Sequence, residues 1–437
     1  MRSKNTKTTF FTFSPYECSA AEEYLELMVE KGWLLKSVKG NFFKFRKTEQ
    51  KNIKYSVDVL NKISIFDHKD SDEALEYREY CKVAGWNYIC QIGKTQIFYS
   101  QKDIETISIH TDEEEKFKSV LKASLQSASG QFFLTLIFMF NLYTQLFMID
   151  AGFAITSNLG LFTIVIMVSL IIINIIGAIS FFIWVIKAKS QLKKDKFMKY
   201  NNYKQIRIKN IFKEAYILII LCVYFKLLIY DNIYSEGFNV LLLMIICIPI
   251  IIMIGVQKFI NQKRYSKNIN MWITIGSTVV LGYLTIMIVM GTVLLSSPKT
   301  SRNEVTNDNA RLVFTDFGFK ESNSEGPYSE IDKSILARRT GYSSGNKNNQ
   351  LTYTIFESNS TLVIKFYEKR LDVKLNRYGT DLKRISTNLP NSIVVYSDSE
   401  KGSFVLVTKD KVVDIKKDFS GYSDNEFLDI VYKKLLY

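Results

Sequence analysis

The chain of 437 residues holds two histidines, and both sit in acidic company: "HKDSDE" runs from His68 and "HTDEEE" from His110. Imidazole beside carboxylates is the material of a metal site or an acid–base pair. Metal ligands must converge in space, however, and Asp70 and Asp72 fall where a following helix needs its cap. The first run reads as a solvated helix start, the second as a charged linker or helix start. No serine or cysteine motif carries a paired histidine, which excludes a nucleophile–histidine relay. The five cysteines, Cys18, Cys81, Cys90, Cys222 and Cys247, have neither zinc-site nor Cys-x-x-Cys spacing. Walker-type and dinucleotide-binding glycine loops are missing. The sequence thus names no catalytic, cofactor-binding or metal residue, and a non-enzyme without a cofactor is expected.

A second group of polar residues stands out through its surroundings. Residues 131–294 are dominated by Ile, Leu, Phe, Met and Val, between two polar ends. About 20 apolar residues cross a bilayer, and five such spans are read in a membrane region 125–295: 131–149, 160–186, 212–230, 238–256 and 272–294. Polar groups in such surroundings are functional candidates. Asn141, Gln145 and Asn174 could hydrogen-bond between helices. Lys226, near Asp231, either snorkels to the interface or serves a buried role.

Charge sets the expected direction. The net charge is +14, yet residues 1–124 carry 20 basic against 19 acidic side chains and residues 297–437 carry 22 against 19. The excess lies in 187–213, with ten basic and one acidic, and 257–270, with four basic and none acidic. This is not a basic face on a folded domain, so no nucleic-acid partner is expected. Basic loops stay in the cytoplasm, and the alternate loops, around Asp150 and at 230–237, carry only acidic charge. The expected topology is a bacterial cell-membrane protein with its N-terminus inside and its C-terminal domain outside. No apolar leader precedes residue 30, so no cleavable signal peptide is expected.

What must position these groups begins with a duplication. At an offset of 53, Gly32 matches Gly85, Trp33 matches Trp86, Phe45 matches Phe98, and Tyr24 matches Tyr77. Ala21, Tyr24, Leu25 and Met28 recur at helical spacing, with Ser19 and Glu22 as a capping box. Gly32 can close that helix in the left-handed conformation, with Trp33 folding back on Met28; Gly85, Trp86 and Cys81 repeat the device. Strands at 33–38 and 86–91, second strands around Phe45 and Phe98, and "KYSVDVL" at 54–60 follow. The reading is a duplicated α+β domain, 1–124, with repeats at 19–60 and 72–110. Both tryptophans are core residues, or the groove between repeats binds a ligand or partner.

The segments "FFTFSPYECSAAEEYLELMVEKGWLLKSVKGNFFKFRK", "KYSVDVL" and "AGWNYICQIGKTQIFYS" together resemble the bacterial domain of unknown function 2812 family, well over about residues 8–105. The resemblance implies a cytoplasmic Gly-Trp domain followed by membrane helices, and it brings no catalytic residues. Members lie beside PadR-type transcriptional regulators, which implies an inducible membrane function.

After a linker at 296–309, residues 310–437 read as a second α+β domain: strands at "RLVFTDFGF", "QLTYTIFES", "SIVVYS" and a hairpin turning at Lys409-Asp410. A helix from 360 stops at Gly379, and another closes the chain. Arg338-Arg339 could contact an anionic wall polymer or form an ordinary solvated pair. The expected fold is an α-helical integral membrane protein of five spans flanked by two α+β domains. The expected function is regulatory, envelope sensing or stress protection, with transport as a component or accessory subunit of a permease as the alternative. Expected partners are the lipid bilayer and another membrane protein or cytoplasmic regulator.

Overall fold

The computed structural model describes residues 5–109, 112–148, 151–194, 202–230, 236–263, 265–295, 303–304, 312–319, 328–345, 349–377, 379–398, 400 and 402–437. They fall into two compact units: Met1–Ile137 with Leu170–Cys222 and Leu241–Gly291, and Phe138–Ser169 with Val223–Val240 and Thr292–Tyr437.

The first unit opens with two βαββ modules. β1 (Thr6–Phe10), α1 (Cys18–Glu30), β2 (Trp33–Lys39) and β3 (Phe42–Lys47) form the first. β4 (Ile53–Val59), α2 (Asp72–Val83), β5 (Asn87–Ile92) and β6 (Thr95–Gln101) form the second. Each makes a three-stranded antiparallel sheet, ordered β1-β3-β2 and β4-β6-β5. The strand at 53–59, expected to end the first repeat, therefore opens the second. Both β2–β3 and β5–β6 shift register at matching places, between Leu35 and Ser37 and between Tyr88 and Cys90. Such a bulge leaves one residue unpaired and bends the strand. Phe11 N–H donates to the Asn41 carbonyl at 2.9 Å, and Leu60 N–H to the Lys94 carbonyl at 2.9 Å, so these pairs also correspond.

Both helices end as the glycines require. Gly32 has φ 80° and Gly85 φ 89°, a region that costs any other residue. Gly85 N–H bonds the Lys82 carbonyl at 3.0 Å and Trp86 N–H the Cys81 carbonyl at 2.9 Å, the paired bonds of a Schellman cap. The start of α1 differs from expectation. It is entered through a 3₁₀ turn, Pro15–Glu17, capped by Ser14, whose N–H donates to Glu17 Oε2 at 2.8 Å, and Glu17 takes the N-cap place of α1. Pro15 favours this site because its fixed φ suits a first helical position and its missing N–H costs nothing there. Ser19 lies inside the helix.

Five helices follow: α3 (Glu113–Tyr143, continuing as a π turn Thr144–Met148), α5 (Asn158–Leu192) after the short α4 (Ala151–Thr156), α6 (Tyr203–Tyr230), α7 (Glu236–Lys263) and α8 (Lys267–Leu295). They correct the five-span expectation. Among the described residues, two helices are long and apolar enough to cross a membrane, Glu113–Phe147 and Gly160–Leu192. The span read at 212–230 carries Lys213 and Glu214 at its head. Those read at 238–256 and 272–294 contain residues whose side chains lie outside the described set. Among the described residues the chain is a mixed α/β protein with three sheets rather than a five-span helical one.

The second unit is built on an eight-stranded sheet. It adds β7 (Asn303–Glu304), β8 (Tyr328–Lys333), β9 (Arg338–Gly345), β10 (Gln350–Glu357), α9 (Thr361–Arg377), β11 (Lys383–Ile385), β12 (Val394–Asp398), β13 (Ser403–Val407), β14 (Lys411–Asp418) and α10 (Asp424–Val431). The antiparallel order is β11-β12-β13-β14-β10-β9-β8-β7. Core residues Phe404, Leu406, Val413 and Ile415 face Phe427 and Val431 of α10, while Phe356, Val405 and Val412 face Ile364 and Tyr367 of α9. The strand expected at "RLVFTDFGF" is instead a 3₁₀ turn, Phe314–Phe317, closed by Gly318 at φ 75°. Asp316 accepts the Val313 N–H at 2.9 Å, and Phe317 stacks on Phe427 at 5.4 Å, so the aromatics serve the core from a turn. Of the expected linker 296–309, only Asn303–Glu304 are among the described residues.

Candidate functional site: the pocket between the βαββ modules

The turns of the two hairpins, Gly40-Asn41 and Gly93-Lys94, come to one cavity of about 340 Å³. That volume lies at the lower end of small-molecule sites. Phe11, Phe13 and Phe43 supply an aromatic wall, with Phe11 edge-on to Phe43 at 5.4 Å. Thr12, Asn41, Thr95, Gln126 and Ser127 add neutral hydrogen-bonding groups, and Lys94 the charge. The lining holds no carboxylate. Ala123, Gln126 and Ser127 come from α3, in the turns just before its apolar stretch.

Lys94 is half-buried. Burial, then the repulsion of Lys122 and Lys267, lowers its pKa, with Asp67 opposing. Its ammonium is therefore less favourable than a free lysine's and gains from an anion placed beside it.

The walls of this cavity are bonded to the bases of the helices. Thr12 Oγ1 donates to Asn210 Oδ1 at 2.7 Å, and Asn210 Nδ2 donates to the Thr12 carbonyl at 3.1 Å. Asn210 lies on α6 and is buried. Phe11 stacks on Tyr24 at 4.1 Å, and Tyr24 on Tyr203 of α6 at 5.5 Å. Beside the pocket residue Ile65, the Phe66 carbonyl accepts from Asn270 Nδ2 of α8 at 2.9 Å. Lys209 of α6 pairs with the buried Glu17 at 3.1 Å. Tyr16 and Phe117 pack on Trp184 of α5 at 5.4 and 5.7 Å.

The sequence candidates fall elsewhere. Phe45 and Phe98 are fully buried in the two module cores. Trp86 packs with Cys81 and Phe98 and donates Nε1–H to the Ile107 carbonyl at 2.9 Å. Trp33 is half-buried against the first core. Lysines of the opening strands lie over both rings, Lys7 at 5.7 Å from Trp33 and Lys54 at 5.6 Å from Trp86. Gly32 and Gly85 are helix caps, and none of the six lines the pocket. Gln145 Nε2 donates to Thr163 Oγ1 of α5 at 2.8 Å, a bond between helices. Asn141 is exposed, Asn174 half-buried, and Lys226 exposed on α6. Arg338 is exposed and Arg339 half-buried on β9.

His68 is buried at a turn, its Nδ1 accepting the Asp70 N–H at 3.1 Å. Asp70 pairs with Arg78 at 2.8 Å. Burial alone would raise the Asp70 pKa, but the Arg78 hydrogen bond together with the charges of Arg78 and Lys69 turns the net shift downward. Arg78 also bonds Gln91 at 2.9 Å and lies over Tyr88 at 3.8 Å, so this acidic run is a structural knot. His110 lies outside the described residues. Sequence reasoning missed Lys94, Thr12, Asn210 and Asn270. The offset of 53 that pairs Gly40 with Gly93 would have flagged the two turn tips; nothing in the sequence marks the asparagines as contacts.

No curated protein and no solved structure matches the chain. Residues 17–130, roughly a quarter of the chain and including Lys94, Ala123, Gln126 and Ser127, match the family described as Protein of unknown function (DUF2812).

Proposed function

We propose that this chain is a non-enzymatic membrane protein of regulatory role, in which the paired βαββ modules sense a ligand and pass its occupancy to the helices. The observation that carries this reading is the bonding of the pocket walls to helix bases, Thr12 to Asn210 and Phe66 to Asn270. A ligand that moves the Phe11–Thr12 segment must move or strain α6, because both the hydrogen bonds and the Phe11–Tyr24–Tyr203 stack tie them together. A ligand shifts such an equilibrium only by binding its two states unequally, and the buried asparagines supply the difference.

Two helices of crossing length support placement in a membrane. The basic stretch that follows the second supports a cytoplasmic side for the modules, in the cell membrane of a bacterium. The acidic stretches around Asp150 and at 230–237 support an outer side for residues 310–437. Sensing of envelope state, or protection against a membrane-active stress, is the role such a division serves. The partners are the bilayer and a second protein, in the membrane or the cytoplasm.

The test compares a deletion strain complemented with wild type or with Asn210→Leu plus Asn270→Leu. Wild type is expected to restore transcript levels and tolerance of envelope stress; the double variant is expected to insert and accumulate without restoring either. A full response from the double variant would sink the coupling. Solute flux in proteoliposomes that falls on Lys226→Leu would replace the regulatory reading by transport.

A further inference from the structure

The chemistry of the pocket says what it is shaped to hold. One half-buried ammonium stands among five neutral hydrogen-bonding side chains, with no carboxylate in the lining. An ammonium serves as a point-charge partner for phosphate, and hydrogen bonds to an ionised oxygen are about twice as strong as neutral ones. Lys122 and Lys267 add positive potential at Lys94 without entering the lining. The same lining carries Phe11, Phe13 and Phe43, which a small hydrophilic anion would leave without an apolar partner. Ile65, 57% exposed, extends the apolar surface at the rim. The lining thus suits an amphiphilic ligand that carries both an anionic group and an apolar portion.

We infer that the pocket binds the phosphate of an anionic amphiphile, with the phosphate at Lys94 and the apolar portion on Phe11, Phe13 and Phe43. This rests on the sensing reading above and names its ligand. Gln126 and Ser127 sit just before the apolar stretch of α3, at the level where a crossing helix meets lipid headgroups. An anionic phospholipid is therefore the source the position favours, and a soluble phosphate monoester is the other source of the same chemistry.

The experiment uses the full chain purified in detergent. Native mass spectrometry reads retention of phosphatidylglycerol against phosphatidylcholine, and calorimetry reads glycerol 3-phosphate and inorganic phosphate. Lys94→Met removes the charge at similar length, Lys94→Arg keeps it, and Lys36→Met is an exposed control. Loss of one charge-assisted contact is expected to weaken binding about tenfold. Phosphatidylglycerol retention that falls this far in Lys94→Met, but not in Lys94→Arg or Lys36→Met, establishes the site with lipid as its source. The same Lys94 dependence for glycerol 3-phosphate alone establishes it with a soluble source. Wild-type retention by Lys94→Met, or equal retention of phosphatidylcholine and phosphatidylglycerol, overturns it. Binding and cellular response are read separately. A Lys94-dependent ligand without a response defeats only the sensing reading, and a response without any Lys94-dependent ligand defeats only this one.

Discussion

Glu22 shows how one side chain can be set against its surroundings. From α1 it accepts the Val57 N–H at 2.8 Å, while Glu26, one turn on, accepts the Tyr55 N–H at 3.2 Å. Both amides belong to the edge strand β4, so two carboxylates four residues apart cover an edge that would otherwise offer free donors. Burial pushes the Glu22 pKa up from 4.5 to about 7; the Val57 N–H and Lys116 oppose this, and Glu26 and Asp58 add to it. An acid with a raised folded-state pKa holds its proton in the fold after the unfolded chain has lost it. Stability therefore falls as pH climbs from 4.5 to about 7 and is level above. At about 1.4 kcal/mol per unit the loss is at most about 3.5 kcal/mol, and about 2 is expected for a half-buried group. Glu22→Gln keeps an acceptor for Val57 without the charge. Its thermal unfolding is expected to match wild type near pH 5 and to exceed it near pH 8 by about 2 kcal/mol. Equal slopes against pH in the two proteins would show that Glu22 is not the group responsible.

The element scale is where sequence spoke most clearly and also misled. The helix–Gly-Trp–hairpin succession was legible because a left-handed residue after a helix demands glycine, and the demand recurs at 32 and 85. The first strand of each module was not. Phe10 pairs with Phe42 and Val59 with Thr95, so opening strands lie 49 apart while the hairpins lie 53 apart. Residues 60–71 form a longer loop than 11–17, and no gapless offset spans that difference. The repeat boundary consequently lies one strand earlier than the gapless match places it. Caps also rank by what surrounds them. A Cβ at Gly85 would meet Thr106 Cγ2 at 3.1 Å, whereas one at Gly32 meets only the Thr48 carbonyl at 3.4 Å. Left-handed alanine costs about 1–2 kcal/mol at either position. Gly85→Ala is expected to destabilise more than Gly32→Ala, by about 0.5–1 kcal/mol, since the crowded threonine must also move. Denaturant midpoints with unchanged slopes would check the order. A larger loss for Gly32→Ala would contradict it.

At the scale of the molecule, hydropathy weighs composition along a window, so basic helix bases such as 203–213 read as a loop when they are the first turns of α6 and pack on the modules. The pocket was equally illegible, because its floor and its anchors lie some 200 residues apart in sequence: Thr12 with Asn210, and Phe66 with Asn270. These long-range bonds make a distinct prediction. Asn270 Nδ2 joins the Phe66 and Tyr265 carbonyls at 2.9 and 3.1 Å from a buried position. Asn270→Ala leaves both carbonyls without that donor and is expected to cost about 1–3 kcal/mol locally. Because the loop 61–71 and the start of α8 share this one amide, they should loosen together. Hydrogen exchange is expected to rise in 61–71 and 267–274 while β13 and β14 stay as in wild type. Exchange confined to α8 would mean that the loop is held by its own contacts, Asn61 to Ser119 and Ser64 to Asp67. In that case Asn270 transmits nothing, and the pocket would reach the helices through Asn210 and the Tyr24–Tyr203 stack on α6 and through its own lining turn of α3.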